Sequence, residues 1–101
     1  MYLIRRVYRV KPGTHRKAAA LIAQMAQKYV DAGQRNPIRV YWSGGTVPGP
    51  QNHVYLDWVQ EKIESPYRPG NKLPDGLAEI GGALREFQEE SWVEFYEMYH
   101  A

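Results

Sequence analysis

The most constraining feature of this 101-residue chain is the order in which its hydrophobic period changes. Residues 2–10, YLIRRVYRV, alternate and are rich in β-branched and aromatic types, as a strand requires. Lys11-Pro12-Gly13 ends that run, because proline cannot donate to a ladder and glycine frees the turn. From His15 to about Ala32 the apolar residues fall at Ala18, Leu21, Ile22, Met25, Tyr29 and Val30. That is the spacing of one helix face, with Thr14 placed as N-cap and Gly33 just beyond the C-terminus. Alternation returns over Ile38–Ser43 and again over His53–Val59, separated by GGTVPGPQN, which is too long for a tight hairpin turn. Gln60–Ser65 has room for a short helix, but Pro66, Pro69 and Pro74 forbid a longer one. Asp75 can cap a second helix carrying Leu77, Ile80, Leu84 and Phe87, in which Gly81-Gly82 imply a close helix-on-sheet approach. Trp92–His100 reads as the last strand.

The order β-α-β-β-α-β over residues 1–101 predicts one domain of α+β class. It is the ferredoxin-like arrangement: a four-stranded antiparallel sheet of order 4-1-3-2 with both helices on one face. Ile38/Val40/Trp42, Val54/Leu56/Trp58 and Val93/Phe95 are the apolar faces expected to meet the helices. The opposite faces carry Arg39/Tyr41/Ser43, His53/Tyr55/Asp57 and Trp92/Glu94/Tyr96/Met98. Such a surface is too aromatic for water and too polar for a dry core, so a second sheet supplied by a symmetric homodimer is expected to cover it. The first strand offers two frames, Leu3/Arg5/Val7/Arg9 and Ile4/Arg6/Tyr8/Val10, and neither is wholly apolar.

Charge sharpens the picture. Residues 1–39 hold nine Lys/Arg and one acid, whereas residues 40–101 hold four Lys/Arg and ten acids. A basic half can bind nucleic acid, but no aromatic-interleaved RNA-binding motif accompanies it. The alternative is cross-strand pairing, with Arg5, Arg6 and Arg9 facing Glu94 and Glu97 on the neighbouring fourth strand. Cysteine is absent, which removes disulfides, thiolate metal sites and a thiol nucleophile, and is compatible with a cytoplasmic protein. No apolar run is long enough to span a bilayer, so neither a membrane nor a nucleic-acid partner is expected. No HExxH pattern or phosphate-binding glycine loop occurs, and neither a metal nor a cofactor is called for. His15 and His100 read as solvated, and Tyr2, Tyr29, Tyr67 and Tyr99 as half-exposed packing residues.

Tyr2 to Gly13, with Arg6, Tyr8 and Val10 leading into Lys11-Pro12-Gly13, resembles the first strand of the dimeric α/β-barrel superfamily. Val40–Ser43 and His53–Val59 fall where its NIPSNAP-like branch has the second and third strands. The resemblance extends to the antibiotic-biosynthesis monooxygenases. It implies a homodimer enclosing a cavity, and one of two functions. The first is a small cofactor-independent enzyme of monooxygenase, cyclase or isomerase type acting on an aromatic or polyketide-like molecule. The alternative is a non-catalytic small-molecule-binding or accessory protein. It further implies that Arg6 and Tyr8 point into the barrel beside Tyr41, Tyr55, Trp92 and Tyr96, as substrate-binding residues. His53, Asp57 and Glu94 are then the candidates to move a proton, provided burial raises a carboxylate pKa. Haem-degrading members use an asparagine on the first strand; Arg5 and Arg6 stand here instead, so that activity does not carry over.

Overall fold

Strand β1 (Tyr2–Val10) is held from both sides, by β3 (His53–Gln60) and by β4 (Gln88–Glu97). Strand β2 (Arg39–Ser43) completes the sheet beside β3, giving the order β2-β3-β1-β4 with every pair antiparallel. Helices α1 (His15–Asp31) and α2 (Leu77–Arg85) connect these strands in the expected β-α-β-β-α-β order. The structure is a computed structural model and describes residues 1–100. The ferredoxin-like α+β fold is therefore present.

The core lies between the helices and one sheet face. Ile4, Tyr8 and Val10 of β1 join Val54, Leu56 and Trp58 of β3, and α1 lays Ala18, Ala19, Ile22 and Ala26 over them. Three alanines in that stripe let the helix approach closely, and Ile22 is fully buried, which alone contributes about 1.5–3 kcal/mol. Thr14 occupies the N-cap position, but its hydroxyl donates to the Lys11 carbonyl at 2.6 Å and leaves the helix N–H groups uncapped. Gly33 takes φ +72°, the left-handed conformation that closes α1.

Several boundaries differ from the sequence expectation. Helix α2 is capped by Gly76 at φ +83°, not by Asp75, and buries only Leu84. A Cβ built on Gly81 or Gly82 meets nothing within 4 Å, so close packing does not require this glycine pair. Residues 61–76 form no short helix; they run irregularly from β3 to α2. Strand β4 begins at Gln88, four residues before Trp92, and ends at Glu97. Its early residues are polar, yet they pair because Arg9 stands opposite. A register shift at Arg9/Val10 brings both Glu89 and Glu90 to that guanidinium, at 2.8 and 3.2 Å. The charge split along the chain is thus partly a cross-strand ladder. Arg6 and Glu97 take no part in it, since their partners across the β1–β4 pair are Val93 and Tyr2.

Candidate functional site

The two faces of the sheet differ in chemistry. On the face away from the helices, one row of side chains crosses all four strands as Arg39, Asp57, Arg5 and Glu94. The signs alternate along it. Arg39 Nε donates to Asp57 Oδ1 at 2.8 Å, and the Tyr41 hydroxyl donates to Oδ2 at 2.6 Å. Asp57 is only 3% exposed, so these two donors replace its hydration. Across β1, Arg5 Nε donates to Glu94 Oε1 at 2.8 Å, while its guanidinium lies over the Tyr55 and Tyr96 rings at 5.2 and 5.9 Å.

Strand alternation puts Trp92, Glu94 and Tyr96 on the same side, and both aromatic residues donate to the carboxylate, at 2.9 and 2.6 Å. These bonds, that from Tyr96 most of all and then that from Trp92, lower the Glu94 pKa from 4.5 to about 2. Tyr41 moves the other way, from 10.0 to about 12, first through burial and then through its bond to Asp57. Tyr41 stacks on Tyr55 with centroids 5.3 Å apart, and the Tyr55 hydroxyl meets Ser43 Oγ at 2.9 Å. His53 Nδ1 donates to the Gln51 carbonyl at 2.6 Å, and its ring meets Trp92 edge-on at 6.0 Å. His53, Asp57, Glu94, Tyr41, Tyr55, Trp92 and Tyr96 therefore share one face. Glu94 is the reverse of the raised-pKa carboxylate expected of a general base, because three donors stabilise its charged form.

Arg6 and Tyr8 do not join them. Tyr8 pairs with Val54 and is buried in the helix-side core, where burial raises its pKa. Arg6 lies in a helix-side row that is otherwise apolar: Val40, Leu56, Arg6, Val93. The expected frame of β1 is corrected here. Ile4, Tyr8 and Val10 fill more apolar volume against α1 than Leu3 and Val7 do, and Arg6 accompanies them because it shares their parity.

What receives Arg6 is a cavity of about 370 Å³ on the helix side of the sheet. Ile4, Trp58, Val93 and Phe95 form its floor, Tyr29 and Arg35 one wall, and residues 62–68 the other. It exists because the nine-residue α2 is too short to cover β4, leaving Val93 and Phe95 42% and 51% exposed. Arg35, just past α1, places its guanidinium 3.9 Å from the Tyr29 ring centroid and 4.1 Å from that of Trp58. The Nε of Arg6 is buried without any hydrogen-bond partner. Tyr29, Arg35, Trp58, Tyr67 and Phe95 were not marked as site residues by sequence patterning. One signal pointed there: residues 61–76 form a connection longer than compact domains usually tolerate without a functional reason.

No family model and no curated protein matches the sequence. Solved structures do match the fold. A structure described as an antibiotic biosynthesis monooxygenase aligns with TM-score 0.67 and 8% identity, over 99% of this chain and 100% of its own. A NIPSNAP domain protein from Burkholderia xenovorans aligns with TM-score 0.58 and 16% identity, over 98% and 95%. A NIPSNAP family protein from Agrobacterium tumefaciens gives TM-score 0.55 and 16% identity, over 95% and 90%. The chain shares the fold of these structures. Among the described residues no group of three or more His, Asp or Glu stands close enough to hold a metal ion, and no helix is long and apolar enough to cross a membrane.

Proposed function

We propose that the protein is a homodimer that binds small aromatic molecules, one in the helix-side cavity of each protomer. The cavity carries this reading. Its volume falls within the roughly 300–1,000 Å³ typical of small-molecule sites. Tyr29, Trp58, Tyr67 and Phe95 give it aromatic walls suited to a flat ring. The open face has the composition of an assembly surface. Tyr41, Trp92, Tyr96 and Met98 are all more than a third exposed around a charge row that already balances itself. A second copy of the sheet would cover those rings and leave the alternating charges satisfied inside.

A catalytic reading is favoured by a separate observation. The hydroxyl-bearing ring of Tyr29 lines the cavity beside Arg35, and burial holds its pKa above the ordinary tyrosine value. A protonated phenol at that position can donate to an oxyanion forming on a bound substrate. This is the cofactor-independent enzyme class, with an aromatic or polyketide-like substrate placed in the helix-side cavity and not in a barrel between sheets. His53, Asp57 and Glu94 lie on the other face and would serve assembly.

Calorimetric titration with naphthamide, a neutral aromatic probe, tests the site. Phe95→Ala should weaken binding several-fold, while Tyr96→Ala, next in sequence but on the opposite face, should not. The reverse pattern would move the site to the open face. Sedimentation equilibrium should give a dimer at micromolar concentration, and a monomer would contradict the assembly.

A further inference from the structure

The cavity has an electrostatic character that its aromatic walls do not require. Arg6, Arg35, Lys62 and Arg68 line it, against the single carboxylate of Glu64. Glu64 is already engaged by Arg68 at 3.2 Å. Among the described residues, Arg6, Arg35 and Lys62 form no ion pair. Desolvation is the main cause lowering the Arg35 pKa, and the charge of Arg6 acts in the same direction. The rings of Tyr29 and Trp58 cover Arg35 but cannot accept its N–H bonds as a carboxylate would. Two guanidinium groups are thus held in one partly desolvated space without a counter-ion. Such an arrangement is costly unless an anion arrives from outside.

Resting on the reading of this cavity as the ligand site, we infer that its ligand is an aromatic carboxylate whose charged end is held by Arg6 and Arg35. The guanidinium fork matches two coplanar oxygens, which a carboxylate presents at one end of a flat ring. The ring lies against Val93 and Phe95 on the floor and Tyr67 at the wall, since the Arg35 guanidinium already covers the Tyr29 and Trp58 rings. The mostly apolar floor suits a ligand with one charged end on an apolar body. Lys62, an exposed lining residue, adds attraction during entry.

The test compares naphthoate, naphthamide and naphthyl phosphate by calorimetry at neutral pH and fixed ionic strength. Naphthoate should bind about tenfold more tightly than naphthamide, the discrimination expected of a charge-assisted pair. Arg6→Met and Arg35→Gln should each collapse that preference while retaining naphthamide binding; Arg6→Lys should keep part of it. Retained naphthamide binding shows that each variant is folded and its cavity intact. Equal affinity of naphthoate and naphthamide for the unaltered protein would overturn the carboxylate assignment and leave the cavity as the ligand site. Stronger binding of naphthyl phosphate than of naphthoate would replace the carboxylate by a phosphate ester. Binding of none of the three would overturn the cavity reading as well.

Discussion

Arg5 and Arg6, adjacent in sequence, sit on opposite faces of one sheet and in opposite electrostatic situations. Arg5 meets Glu94 at 2.7 Å within an alternating charge row, whereas Arg6 stands in an apolar row with its Nε buried and unpartnered. Substitution by methionine should therefore shift stability in opposite directions. Arg6→Met removes an unsatisfied polar group and should stabilise the ligand-free protein by about 1 kcal/mol, raising Tm by roughly 4–8 °C. Arg5→Met breaks a half-exposed pair and should cost less than about 1 kcal/mol. Thermal denaturation of the two variants checks both signs.

The Arg39–Asp57 pair is asymmetric in exposure, 70% against 4% for the two side chains, and the cost of breaking it should be asymmetric too. Arg39→Ala leaves a buried carboxylate with the Tyr41 hydroxyl as its remaining side-chain donor and should cost more than Asp57→Asn. Asp57→Asn leaves an arginine that water can solvate, and should cost about 1 kcal/mol. The double variant should cost less than the sum of the two, which chemical denaturation of all four proteins measures.

Glu94 makes the fold sensitive to acid. Its pKa is lower in the folded chain than its ordinary value, so its contribution to stability is present above pH 4.5 and is lost as pH falls through about 2. The difference in Tm between the unaltered protein and Glu94→Gln should shrink across that interval and be constant above it. A difference that persists unchanged to the bottom of the interval would show that the three donors do not hold the ionised form.

Gly81 and Gly82 have open space where a Cβ would stand, and neither adopts positive φ. Gly81→Ala and Gly82→Ala should each stabilise α2 by up to about 1 kcal/mol through helix propensity. Equilibrium unfolding in urea measures this directly, and destabilisation by either would reveal a close contact.

The faces of β2, β3 and the later part of β4 could be read from the sequence because their apolar residues share one parity, and the side chains have no alternative. Strand β1 could not be read in that way. Each of its frames mixes arginine with apolar residues, and the choice was made by α1 packing over Ile4, Tyr8 and Val10. The open-face group was legible as a set, since alternation alone puts Tyr41, Tyr55, Trp92, Glu94 and Tyr96 together. The cavity was not, because it arises from what α2 fails to cover and from a guanidinium at Arg35, in a polar connection without periodicity. Tyr29 and Trp58 read as packing residues, and they are largely buried, with the Arg35 guanidinium against both rings.

The three tryptophans report on three different places: Trp58 on the cavity floor, Trp92 on the open face, and Trp42 beside His15 with ring centroids 5.3 Å apart. Their indole N–H resonances, assigned by single substitution and followed while naphthamide is added, test most directly which face of the sheet binds the ligand. The Trp58 resonance should move saturably while those of Trp42 and Trp92 stay in place. Movement of Trp92 with Trp58 unchanged would contradict the cavity and return the ligand to the space between two sheets.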